Sequence, residues 1–284
     1  MMKENKGKLY ICPTPIGNLE DITLRVLRIL KAVDLIAAED TRHSIKLLNH
    51  YGIQKPLTSY HEHNKDVKGT LLLEKLKAGE EIALVSDAGM PGISDPGADL
   101  IKLCIENDIP FEVLPGATAF TTALVASGLP TMPFSFEGFL DREKKNRKRR
   151  LETLQKDDRT IIFYEAPHRL VASLKDMHAV FGNRKAVAAK ELTKLHEEFI
   201  RGTLEDLIAY FEDKTPKGEF VIVVEGVSPE SLKKSEEEKW KEFSIQDHLL
   251  MYIREGMDKK EAVKRVAKER KVGKREVYEV SIHL

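Results

Sequence analysis

Five short apolar runs punctuate the first half of the chain, and each ends in a loop rich in Gly, Pro or polar side chains. They lie at residues 9–12, 33–38, 56–60, 82–85 and 111–114. Strands alternating with helix-spaced stretches at this interval predict a parallel α/β sheet. Open parallel sheets hold their ligands beyond the carboxyl ends of the strands, where the loops diverge. The functional edge is therefore expected in these loops. The fullest of them, SDAGMPGISDPG, spans residues 86–97. Its glycines open backbone shapes closed to other residues. Pro91 and Pro96 stiffen it, and Asp87 and Asp95 offer carboxylates for hydroxyls or a cationic group.

The other loops occupy equivalent positions. Pro15-Ile16-Gly17-Asn18 follows the first strand, Glu39-Asp40-Thr41-Arg42-His43 the second, His61-Glu62-His63-Asn64 the third and Pro115-Gly116 the fifth. Helices are expected near 22–31, capped by Asp21, and near 44–51, 70–77 and 117–127. Gly128-Leu129-Pro130 breaks the pattern, so an N-terminal α/β domain is expected over 1–130.

A second α/β domain is expected over 131–227, with strands near 135–140, 161–164, 186–189, 199–202 and 219–224. Helices are expected over 170–181 and, capped by Thr203, over 204–211. Residues 142–150 carry seven Lys/Arg against one Glu. A charged linker over 228–243 leads to a tail over 244–284 with a purely helical period. Ser244 with Asp247 forms a relative of the capping box, Asp258 caps the next helix and Gly273 turns into a third. Three short helices with a Gly turn resemble a helix-turn-helix module. A small bundle used for packing or dimerisation is the alternative.

Several chemistries lack their residues. No P-loop pattern and no G-x-G-x-x-G after the first strand occurs, which disfavours ATP hydrolysis and ordinary dinucleotide binding. No G-x-S-x-G elbow supplies an acyl-transfer nucleophile, and no His/Cys set has zinc spacing, so no metal is expected. Cys12 and Cys104 read as buried hydrophobes of a reducing compartment. No run approaches the ~18 apolar residues of a membrane span, and a cytoplasmic protein is expected. Lys+Arg and Asp+Glu balance at 46 each, so any nucleic-acid surface must come from local clustering.

The series TPIGNLEDIT, AEDTRH, SYHEHN, SDAGMPGISDPG, PGATAFTTALVASGLP, FYEAPHR, KELTKLHEE and GEFVIVVEG resembles the tetrapyrrole-methylase-fold family, in order from Leu9 to Gly226. Met90-Pro91 departs from that family's usual Thr-Pro. The resemblance implies two α/β domains of the class III methyltransferase type, with S-adenosylmethionine between them in a homodimer. The subfamily it matches implies methylation of a cytidine ribose 2′-hydroxyl in the decoding region of 16S rRNA, free or in the small ribosomal subunit. Carried over by position, Pro15, Ile16, Asp87, Ala88, Met90, Ile93, Thr118, Ala119, Tyr164, Glu165, Ala166, Leu192, Glu219 and Phe220 would hold the cofactor.

Methyl transfer to a hydroxyl needs alignment and a base for the departing proton. Asp40 and Arg42 are the expected acceptor-side residues, with Glu39, His61, His63 and Glu191 as alternatives. Arg147, Lys148, Arg149 and Arg169 are expected to face RNA, since guanidinium and ammonium groups suit phosphate. Two other readings use the same residues: a tetrapyrrole or other small-molecule methylase, which needs neither basic run nor tail, and a non-enzymatic nucleic-acid-binding regulator built on the tail.

Overall fold

In the computed structural model the described residues are 6–228, 243–282 and 284. The expected linker therefore lies almost wholly outside them. Two compact units are present: one of residues 1–152 and 159–225, the other of 153–158 and 226–284.

The first unit contains two five-stranded sheets. The first sheet comprises β1 (Leu9–Ile11), β2 (Leu35–Ala38), β3 (Leu57–Ser59), β4 (Ile82–Val85) and β5 (Phe111–Val113). Its order is β3-β2-β4-β1-β5, and every pair is parallel. Alternate side chains on these strands enter two separate cores. Leu9, Ile11, Ile82 and Leu84 meet α3 (Lys65–Lys77) and α4 (Gly97–Glu106) through Leu72, Leu76, Leu100 and Cys104. Tyr10, Cys12, Ala83 and Val85 meet α1 (Leu24–Ala32) and α2 (Thr41–His50) through Val26, Leu30 and Leu48. Burial on both faces explains why the strands read as continuous apolar runs. Burial also raises the Cys12 and Cys104 thiols, to about 12 and about 11, leaving both as inert packing groups.

The second sheet comprises β6 (Phe134–Phe139), β7 (Thr160–Glu165), β8 (Lys185–Lys190), β9 (Glu198–Thr203) and β10 (Phe220–Val224), in the order β6-β7-β10-β8-β9. Only β6–β7 is parallel; the remaining pairs are antiparallel. Between the sheets in sequence lies α5 (Ala119–Ser127), which ends at the left-handed Gly128. Its Ala123 and Leu124 share a core with Ile162, Val187, Val221 and Val223. The helices α6 (Lys144–Leu154), α7 (Leu170–Phe181) and α8 (Leu204–Glu212) complete this half, and Thr203 with Asp206 closes a full capping box on α8.

One expected cap is corrected. Asp21 ends a short 3₁₀ turn, Leu19–Asp21, and Thr23 caps α1 by accepting the Val26 N–H at 3.1 Å. A hydroxyl three residues before that amide has the right reach, whereas Asp21 lies too far upstream. The helix expected over 70–77 begins earlier, at Lys65, because Asn64 turns the chain at the end of β3.

The second unit contains α9 (Ile245–Arg254), α10 (Lys259–Arg270) and α11 (Lys274–Ser281). Ser244 and Asp258 are the caps anticipated from the sequence. Leu249, Tyr252, Ala262, Val266 and Val277 form its own core.

Candidate active site

The sheet order places the carboxyl ends of β1 and β4 side by side, and their loops are bonded together. Thr14 and Gly89 exchange two backbone hydrogen bonds, of 2.9 and 3.0 Å. The Thr14 hydroxyl donates to the Ser86 carbonyl, and the Ser86 hydroxyl donates to the Gly89 carbonyl. Gly89 adopts φ +85°, a conformation an L side chain resists. Asp95 then folds the far half of the loop back on itself. Its carboxylate accepts the N–H groups of Gly92 (2.9 Å) and Gly97 (2.8 Å).

This loop floors a cavity of about 390 Å³. Of the fourteen cofactor positions expected from the sequence, all except Pro15 line it. The apolar wall comes from Ile16, Met90, Ile93, Tyr164, Leu192 and Phe220. The amino end of α5 contributes Thr118 and Ala119. The sequence reading did not include Phe139, Ala189 and Val221, which also line the cavity. Phe139 follows the bulge at Gly138 in β6 and meets Tyr164 edge-on. Only that irregular register turns Phe139 toward the site, and a bulge leaves little trace in an alternating pattern. Gly17 leaves no room for a side chain. A Cβ there would lie 2.6 Å from the Leu192 carbonyl, and Asn18 N–H donates to the Thr193 hydroxyl.

Five acidic residues, Glu39, Asp87, Asp95, Glu165 and Glu219, line this cavity. Burial raises the Glu39 carboxyl above its ordinary value, and the Asp87 charge adds to this against the bond Glu39 accepts from the Asp87 amide. Burial likewise raises Asp95, although its backbone donors oppose the shift. Asp87 is itself held by Asp40 N–H at 2.9 Å, with His43 Nδ1 at 3.5 Å. The cavity thus combines an apolar wall with concentrated negative charge. It fits a ligand carrying a flat apolar part and a positive centre. Among the described residues no group of His, Cys, Asp and Glu is placed to hold a metal ion. We expect Asp95→Ala to lower stability by roughly 1–3 kcal/mol, because it strands buried loop amides; chemical denaturation measures this.

The acceptor-side expectations change. Asp40 caps α2 by accepting the Arg42 N–H at 2.8 Å, and its carboxylate also takes the Arg42 guanidinium at 2.6 Å. Those bonds hold its carboxyl far below the usual range. A carboxylate so stabilised is a poor base, and Asp40 is not among the cavity-lining residues. Glu39, one residue earlier, lines the cavity, and its carboxyl is raised and not lowered. The Glu191 carboxyl is raised by burial, but the Glu219 amide and the Lys194 ammonium outweigh this and hold it low. Its oxygen accepts both donors, and Glu191 does not line the cavity. His61 N–H donates to Asn64 Oδ1, which turns Asn64 Nδ2 toward His61 Nε2 at 3.2 Å. His63 is exposed beside it. Neither histidine lines the cavity.

The basic run also divides. Arg147 is 6% exposed and locked to Asp176 by bonds of 2.7 and 2.8 Å, with the Asp141 and Arg142 carbonyls saturating its remaining nitrogen. Arg169 donates to the buried Glu165 carboxylate and to the Leu140 carbonyl. Both guanidinium groups are therefore internal struts and not phosphate contacts. Glu165 is spent in the same network, accepting from Arg169, Ser173 and the Ala166 amide. It shapes the cavity wall, and its carboxylate is not available to a ligand. Lys148 and Arg149 remain exposed.

Comparisons with known proteins bear on this geometry. The family description Tetrapyrrole (Corrin/Porphyrin) Methylases matches residues 8–208. The chain is 50% identical over 277 residues to the ribosomal RNA small subunit methyltransferase I of Bacillus subtilis (strain 168), covering 98% of this chain and 94% of that protein. The protein of the same name from Thermotoga maritima is 50% identical over 220 residues, 99% of its own length but 78% of this chain. A uroporphyrin-III C-methyltransferase of Thermus thermophilus, solved with S-adenyl homocysteine, superposes with a TM-score of 0.56 at 19% identity, covering 76% of this chain and 97% of that one. An α/β fold with two sheets, a loop-built cavity at the strand ends and these matches agree: the chain belongs to the tetrapyrrole methylase family.

Proposed function

We propose that this protein is an S-adenosylmethionine-dependent methyltransferase that places a methyl group on a cytidine ribose 2′-hydroxyl in the decoding region of 16S rRNA. The observation carrying the reading is a cavity lined by apolar and acidic residues, in a chain half identical over nearly its full length to proteins named for small-subunit rRNA methylation. The related structure holding S-adenyl homocysteine supports the choice of cofactor. When bound, S-adenosylmethionine supplies an electrophilic methyl group on a sulfonium centre.

The chain's residues divide the work. Ile16, Met90, Ile93, Leu192 and Phe220 exclude water and grip the apolar part of the cofactor. Asp87 faces its positive charge. Glu39 takes the proton that the acceptor hydroxyl must shed, since a base of raised pKa transfers a proton more effectively than one of depressed pKa. Arg42, with its side chain 88% exposed, keeps a guanidinium at the solvent side of Asp40, and we assign it to substrate phosphate. Lys148 and Arg149 extend that electropositive approach.

Calorimetric titration tests the reading. S-adenosylmethionine is expected to bind the wild-type chain. Asp87→Asn should weaken binding at least tenfold, as expected for the loss of a charge-assisted contact worth about 1.5–3 kcal/mol. No binding by the wild type would reject the assignment. We also assign a homodimer, supported by large apolar side chains left exposed on the first unit, including Leu24, Val125 and Met132. A cytoplasmic location follows from the proposed substrate; among the described residues no helix is long and apolar enough to cross a membrane.

A further inference from the structure

The helical module carries a surface that its own packing does not use. Ala262, Val263, Val266 and Ala267 turn one face of α10 into the core. The opposite face presents Lys260, Lys264 and Lys268, all exposed. At four-residue intervals they stand about 6 Å apart in one row. Three arginines of the module are engaged instead. Arg265 bonds Glu269 and lies over the Tyr252 ring. Arg270 turns inward to His248 Nδ1 and to the Phe243 and Ser244 carbonyls. Arg275 pairs with Glu279. Among the described residues no carboxylate pairs with any of the three lysines.

The connection beyond this row is tight. Lys271 adopts φ +54°, and Gly273 is the N-cap residue of α11. Helix, short turn and helix follow the arrangement in which one helix lies along a nucleic-acid backbone while the next approaches the bases. On α11 the exposed Tyr278 offers a ring face to an unstacked base. A side chain cannot read the deep major groove of A-form RNA, whereas backbone and splayed bases remain accessible.

We propose that the α10 lysine row is a sequence-independent phosphate grip for the RNA substrate, with Tyr278 as its stacking partner. This rests on the rRNA reading above. The similarly named Thermotoga maritima relative has no counterpart for about a fifth of this chain.

The test uses the full chain and a synthetic decoding-region hairpin RNA, with affinity read by fluorescence anisotropy across a salt series. Replacing Lys260, Lys264 and Lys268 together by Gln should flatten the salt slope by about 2, at ~0.7 per phosphate contact. The same slope corresponds to roughly fifty-fold weaker binding at about 0.15 M salt. Replacing all three by Arg should retain the slope, which separates charge from folding. Tyr278→Ala should weaken binding without changing the slope. Cofactor affinity should stay constant in all three variants. An unchanged RNA affinity and slope in the Gln variant would overturn the proposal. So would tighter, lysine-dependent binding of duplex DNA of equal length. Failure of the functional reading itself would show separately, as a wild-type chain that does not bind S-adenosylmethionine.

Discussion

Glu39→Gln is expected to lower kcat for methyl transfer by about 10²–10⁴-fold, the usual contribution of a positioned general base. The substitution preserves shape and removes the basic oxygen, so cofactor affinity should change little. Stability should be kept or slightly improved. The folded-state pKa of Glu39 is raised by burial and by Asp87, so the folded chain holds that proton more tightly than the unfolded chain does. The stability contribution of this group is fully present below the ordinary Glu value and is lost as pH rises through the folded value. At neutral pH the ionised form is therefore a cost to the fold that Gln removes. The same shift has a kinetic consequence. The base must be ionised, so kcat should fall on the acid side at a pH above the ordinary carboxylate range. Asp87→Asn removes a raising charge and should move that limb downward under saturating cofactor. Asp40→Asn should produce a much smaller loss, mainly through the cap of α2. Equal losses for Glu39→Gln and Asp40→Asn would contradict the assignment.

Arg147→Ala is expected to destabilise the protein by about 3–5 kcal/mol, because it leaves the Asp176 charge buried without a partner. The side chains of the pair are 7% and 13% exposed and joined at 2.7 Å, so solvent screens them poorly. The measurement is a denaturant midpoint, and RNA affinity of the folded fraction should be unchanged. Pairing Arg147→Met with Asp176→Leu should recover most of the loss, since a matched apolar pair removes both buried charges. A surface phosphate contact would behave in the opposite way: Arg147→Ala would keep its midpoint and bind RNA more weakly.

The sequence was most informative where one physical pattern dominates. The buried parallel strands stand out because both faces of the first sheet are covered, and the loops at their ends are rich in Gly and Pro because the chain must turn sharply there. Ser244, Asp258 and Thr203 were recognisable as caps from their spacing to the next amide. Most of the cavity wall was legible through the family resemblance, since the lining residues sit in contiguous motifs. What was hidden depends on pairing across sequence. Nothing around Arg147 indicates that Asp176, 29 residues away, will neutralise it. Arg169 likewise reads as a phosphate contact because its bond to the Leu140 carbonyl joins residues 29 apart in the chain. The choice between Glu39 and Asp40 turns on which side of a helix start each carboxylate falls. Asp40 is drawn to the α2 amides and Arg42, leaving Glu39 to the cavity.

Transfer of a labelled methyl group from S-adenosylmethionine to a decoding-region 16S rRNA fragment, followed by digestion and nucleoside analysis, tests the central claim most directly. The wild-type chain is expected to yield a single 2′-O-methylcytidine, and Glu39→Gln to bind the cofactor with product formation reduced at least a hundredfold. Label on a base atom, label on a free tetrapyrrole but not on RNA, or undiminished product from Glu39→Gln would contradict the account.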